Sequence, residues 1–153
     1  MNRYRAFTVI EVLVVIAIFA MVSGVTFSMF NGVRSIQSLD KDAENIAAYL
    51  NKARNQTVNS RNNSTYSIRF ASTTVTLFTG STFVQGSSTN SVYTLTPGVS
   101  LVSYIFNPAT TTITFQKMTG KPSATGTIMY QLSNDASTTR SVIIHGSGLI
   151  ETR

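Results

Sequence analysis

The chain has no cysteine, no tryptophan, one histidine and three prolines in 153 residues. The absence of cysteine excludes a disulfide framework and thiolate metal sites. The single histidine, His145, ends an apolar stretch and reads as structural rather than catalytic. No G-x-S-x-G occurs, and Gly146-Ser147-Gly148 lacks the strand-to-helix setting of a phosphate loop, so it reads as a hairpin turn. Acids are scarce, six against twelve Lys and Arg. Three of them, Asp40, Asp42 and Glu44, lie close together; Asp40 and Glu44 are helical i,i+4 neighbours, and two carboxylates on one face read as solvated surface, not a cation site. Asp135 follows Asn134 without EF-hand spacing and suits a turn. No constellation for catalysis, cofactor or metal emerges. Charged residues make up only 12% of the chain, and the abundant Ser, Thr and Asn give a polar, uncharged surface that fits an extracytoplasmic setting.

What the chain does have is a long apolar stretch near its start. Phe7 to Phe30 carries Arg3 and Arg5 before it and a single acid, Glu11, within it. Crossing a bilayer core takes about 20 mostly apolar residues, and flanking basic residues stay on the cytoplasmic side, which predicts one membrane crossing with the N-terminus inside. A carboxylate within such a segment costs roughly 2.5–3.5 kcal/mol on insertion scales and requires a partner. No Lys, Arg or His lies between Glu11 and Arg34, so the partner must come from elsewhere. A free α-amine, with a pKa of about 7.7–8.0, would serve. If the chain were cut after Ala6, Phe7 would carry that amine, about 6 Å along a helix from Glu11, and the amine of one subunit could reach the carboxylate of the next.

Arg5-Ala6-Phe7-Thr8-Val9-Ile10-Glu11 followed by Val12-Leu13-Val14-Val15-Ile16-Ala17-Ile18 resembles the class III signal of type IV pilins and type II secretion pseudopilins. The resemblance implies cleavage by a prepilin peptidase between Ala6 and Phe7, N-methylation of Phe7, and an assembly role for Glu11. The family usually has Gly before the cut; this chain has Ala6. The competing reading is an ordinary secretory signal, with an apolar region at Val12–Val22 and a cut near Ser23-Gly24. Loss of Arg3 and Arg5 with the leader would lower the formal charge from +6 to +4.

Thr8 to Asn62 contains no proline, although many pilins have one here. After Phe30 the apolar residues Ile36, Leu39, Ala43, Ile46, Leu50, Ala53 and Val58 recur mostly at three and four, one face of an amphipathic helix. That spacing predicts Leu39, Ile46 and Leu50 against a sheet, a bend or local unwinding near Gly24 or Asn31-Gly32, and a helix end at Arg61-Asn62-Asn63-Ser64. From Thr65 the period becomes two. Strands are expected at Tyr66–Phe70, Thr74–Phe78, Val92–Leu95, Val99–Phe106, Thr111–Phe115, Thr127–Leu132, Ser141–His145 and Leu149–Glu151, separated by Gly-, Pro- and Asn-containing turns. The predicted class is α+β: a long N-terminal helix packed on an antiparallel β domain. The expected organisation is a leader at 1–6, an apolar membrane or filament-core helix at 7–30, an amphipathic helix at 31–62 and a β domain at 63–153.

The segment Leu50–Asn62, together with Thr127-Ile128-Met129-Tyr130, Arg140-Ser141-Val142-Ile143-Ile144 and Gly146-Ser147-Gly148-Leu149-Ile150, is similar to the helix end and final hairpin of H-type minor pseudopilins and FimT-like minor pilins. The resemblance implies a minor subunit of a secretion pseudopilus or pilus. Its implied partners are other pilin subunits, the prepilin peptidase, an inner-membrane assembly platform and, before assembly, the lipid bilayer. Its implied location is the bacterial inner membrane, then a periplasmic or surface filament. Some FimT-like pilins bind DNA through a basic tail, but the tail here has one arginine and one acid. Lys117, Lys121, Arg140 and Arg153 could converge at one sheet end; so few cations would bind phosphate weakly and with strong salt dependence, so nucleic acid is not the expected partner. A secreted or membrane-anchored binding domain is the remaining alternative.

Overall fold

The computed structural model describes residues 8–59 and 63–153; of residues 25–31 only the backbone is described. Arg3, Arg5 and Ala6 of the expected leader, and Phe7 after them, lie outside the described residues. Among the described residues one α-helix, α1 (Val9–Val58), is followed by eight strands: β1 (Tyr66–Phe70), β2 (Thr74–Thr79), β3 (Ser91–Thr94), β4 (Val99–Asn107), β5 (Thr112–Thr114), β6 (Thr125–Leu132), β7 (Asp135–Ile144) and β8 (Ile150–Thr152). The α1 backbone is helical throughout, so Gly24 and Asn31-Gly32 do not unwind it. Isolated glycines cost about 1 kcal/mol each in a helix, which the surrounding turns absorb. The helix ends at Val58, before Arg61 and Asn62, which lie outside the described residues.

The chain forms two compact units, residues 1–35 and 36–153. In the second, the strands make two four-stranded antiparallel sheets, ordered β3-β2-β1-β5 and β4-β6-β7-β8. The break between them falls where β5 returns to β1, pairing Ile113 with Ile68, instead of continuing beside β4. Alternation is clearest at Ile113, Ile128, Tyr130, Val142 and Ile144, each buried between exposed or partly exposed neighbours, whereas Ile68, Val75 and Leu77 lie in strands whose other face, at Ser67, Thr76 and Phe78, is buried as well. Leu39, Ala43, Ile46, Leu50 and Ala53 of α1 join them in one core. Burying a Leu or Ile side chain contributes about 1.5–3 kcal/mol. The stripe is continued by Thr57, not Val58. Thr57 is fully buried; its hydroxyl donates to the Ala53 carbonyl and accepts from the Tyr66 amide at 2.8 Å, tying the last helical turns to β1.

Asp42, the third acid of the cluster, stands apart from the partly exposed Asp40 and the exposed Glu44. It is fully buried, and its carboxylate accepts from the Tyr93 hydroxyl (2.6 Å), the Thr96 amide (2.8 Å) and the Thr96 hydroxyl (3.0 Å). Asn45, one turn on, donates to the same Tyr93 oxygen. A carboxylate removed from water is tolerable only when hydrogen-bonded, and these bonds fasten α1 to β3 and the turn after it. Asp40 is also engaged, pairing with Arg140 at 2.5 Å. At the other end of the packed helix, Arg54 donates to the Gly120 carbonyl. Gly148, at φ +83°, lies so close that a Cβ there would stand 2.4 Å from the Gly120 oxygen and 2.7 Å from the Arg54 guanidinium.

Burial and the hydrogen bond to Asp42 push the Tyr93 phenol up from 10.0 to about 12. Burial also raises Tyr130 above the usual tyrosine range. The unfolded chain releases the Tyr93 proton first, so the stability tied to the neutral phenol is complete below pH 10 and is lost between about pH 10 and 12. The thermal midpoint of the full chain in detergent should fall across that window. Tyr93→Phe should shallow the fall; an identical alkaline profile in the variant would contradict the Asp42–Tyr93 linkage.

Candidate assembly site

In the first unit the helix starts with a capping arrangement. Thr8 precedes Val9 as the N-cap; its hydroxyl accepts from the Glu11 amide at 3.3 Å, and its carbonyl accepts from the amides of Glu11 and Val12. Thr8-x-x-Glu11 is the spacing of a capping box, in which the acid at the third helical position supports the same turn. Glu11 is exposed in that first turn, where a negative charge also complements the positive end of the helix.

On either side of Glu11 the described surface is apolar all round. Val9, Ile10, Leu13, Ile16, Phe19 and Met21 are each more than half exposed, Val9 reaching 79%. A helix with apolar residues on every side belongs in lipid or among other helices, not in water. Among the described residues, no helix is long and apolar enough to cross a membrane. The apolar sequence runs on into residues 25–31, whose side chains are not described.

The structure divides the four candidate DNA-contacting residues into two pairs. Lys117 and Lys121 lie between β5 and β6, near the Arg54 end of the helix, and the Lys117 ammonium is held by the carbonyl and side chain of Asn63. Arg140 and Arg153 line a shallow cleft with Asp40 and Glu44. Arg140 is bound to Asp40, and Arg153 donates to Glu151 at 3.0 Å. Fourteen helical residues separate Asp40 from Arg54, about 21 Å at 1.5 Å per residue. The four side chains therefore do not form one patch. His145 is exposed beside Glu151, whose carboxyl is held below the usual range by the Arg153 and then the His145 hydrogen bonds. Asp135 caps its own turn through Ser137 and Thr138, which lower its carboxyl. No group of three or more His, Cys, Asp or Glu suited to a metal ion is found among the described residues.

A family model described as the prokaryotic N-terminal methylation motif matches residues 1–27. A second, described as type II transport protein GspH, matches residues 42–148, more than half of the chain. The chain belongs to the GspH family. Its fold is similar to that of the type IV minor pilin FimU of Pseudomonas aeruginosa (strain PAO1), solved in two crystal forms. The TM-scores are 0.57 and 0.56 at 17% and 18% identity, covering 76% and 75% of this chain and 89% and 92% of FimU. No curated protein matches the chain in sequence. The two family matches divide the GspH-family chain much as its structure does, one over the apolar start of α1 and one over the packed helix and sheets.

Removing the Thr8 hydroxyl should loosen only the first turn. A lost N-cap costs about 1 kcal/mol, roughly fivefold in local opening, so Thr8→Ala should speed hydrogen exchange at the Glu11 and Val12 amides by about that factor. Exchange in the Ile46–Ala53 turns should not change. Unchanged exchange at Glu11 would show that Thr8 does not cap the helix.

Proposed function

We propose that this chain is a minor pilin or pseudopilin, a structural and non-catalytic subunit. A prepilin peptidase removes residues 1–6, Phe7 becomes the N-methylated terminus, and the subunit enters a type II secretion pseudopilus or type IV pilus. The observation that carries this reading is the methylation-motif match at residues 1–27 on a chain that matches GspH over residues 42–148. Before assembly the apolar helix rests in the inner membrane with its N-terminus inside; afterwards it packs among the same helices of neighbouring subunits. Both settings cover the apolar surface from Val9 to Val22, which is exposed among the described residues.

Glu11 selects the assembled state. Its carboxylate pairs with the Phe7 amine of the adjacent subunit, an attraction of about 4 kcal/mol at 4 Å and an effective dielectric of 20, before desolvation. The capping geometry supplies a competing role, in which Glu11 merely supports the first turn. Gln serves as well as Glu at that position of a capping box but carries no charge, so Glu11→Gln separates the two. Expressed with its assembly machinery, the variant should be cleaved and membrane-bound yet absent from sheared filaments. Incorporation at the wild-type level would remove charge pairing and leave Glu11 a cap.

A further inference from the structure

The segment between β2 and β3 does not simply link two strands. Residues 80–90 fold back over the face of the first sheet that points away from the core. Phe83 sets its ring edge-on against Phe78 at 5.4 Å, leaving Phe78 only 2% exposed. Asn90 holds the segment in shape by donating to the Val84 carbonyl at 2.8 Å. Between this segment and the sheet lies an open cleft of about 300 Å³, at the lower end of the ligand-site range.

One wall is Arg69 of β1. Its guanidinium lies 4.4 Å over the Phe83 ring and has no ion-pair or hydrogen-bond partner among the described residues. Stacking on the ring fixes the planar fork while leaving its N–H donors free, the geometry that suits a carboxylate. No acidic side chain lines the cleft. The other polar groups are the Thr74 and Thr76 hydroxyls and the Gln85 and Asn90 side-chain amides, with Val92 as an apolar surface. A hydroxyl or amide presents both donor and acceptor atoms, so this set matches a ligand bearing several hydroxyls.

We propose that the cleft binds a carboxylate-bearing sugar unit, with the carboxylate on Arg69 and the ring hydroxyls on the threonines and amides. A sugar fits better than an acidic peptide because the cleft lies over the face of strands already paired with one another: β1 bonds to β2 through Ile68–Leu77 and its neighbours, and β2 to β3 through Val75–Tyr93 and its neighbours. A peptide lying over β1 and β2 would find side chains there and no strand edge for its main chain, the free edge on this side of the sheet being the outer flank of β3.

The test is an NMR titration of the full-length chain in detergent with sodium glucuronate, glucose and the peptide Gly-Glu-Gly, following the amides of residues 69–76 and 83–92. Glucuronate should shift those amides, glucose should bind at least tenfold more weakly, and Gly-Glu-Gly should be weaker than glucuronate. Arg69→Gln should lower glucuronate affinity about tenfold, the effect of losing one charge-assisted hydrogen bond. Lys121→Gln, outside the cleft, should not change it. Because Arg69 is exposed, the variant's unchanged amide spectrum elsewhere serves as the folding control. Equal binding of glucose and glucuronate, tighter binding of the peptide, an undiminished Arg69→Gln titration or no shifts at all would each overturn the proposal.

Discussion

The packed part of the molecule depends on one stripe of α1. Leu39, Ala43, Ile46, Leu50, Ala53 and Thr57 follow one another at steps of four, three, four, three and four, and each is buried. Two small sheets, each with edges of its own, share one core, to which this stripe adds apolar surface beside direct contacts such as that of Phe70 in β1 with Phe106 in β4. Polar contacts then fix where the helix lies. Asp42 binds Tyr93 and Thr96 near one end of the stripe, while Thr57 binds Tyr66 and Arg54 binds Gly120 near the other. Hydrophobic burial has no direction, so these bonds set the register that it leaves open.

The first unit poses the opposite problem. From Val9 to Val22 the same helix exposes Val, Ile, Leu, Phe and Met on every side. Among the described residues that surface is left open, and water is a poor medium for it. A single helix thus carries both a part that the chain completes by itself and a part that needs surroundings of its own kind. That division accounts for the two family matches, a methylation motif on residues 1–27 and GspH on residues 42–148.

Much of this was legible in the sequence. The change from three-and-four spacing to alternation after Thr65 marked the passage from helix to strands. Each expected strand overlaps one that forms, because alternation places Ile68, Val75, Leu77, Ile113, Ile128 and Val142 on one side. Other features depend on partners far along the chain. Asp42 is buried because Tyr93 and Thr96, 51 and 54 residues away, meet its carboxylate. The beginning of β7, Asp135–Arg140, has no apolar alternation; it is extended because Tyr130 and Gln131 of β6 pair with Arg140 and Thr139. The division into two sheets follows from β5 returning to β1, which its short apolar pattern does not specify. At the candidate site, Glu11 is legible as a misplaced acid in an apolar segment, and its spacing from Thr8 carries the further sign of a helix cap.

The central claim is that the apolar start of this chain is prepared by proteolysis for packing among like helices. Intact mass and N-terminal sequencing of the full chain, produced with a prepilin peptidase present, test it most directly. A mature chain beginning at Phe7 and heavier by one methyl group is the predicted result. A chain beginning near Val25, or one retaining Met1 even when Ala6→Gly supplies the family's usual residue before the cut, would contradict it.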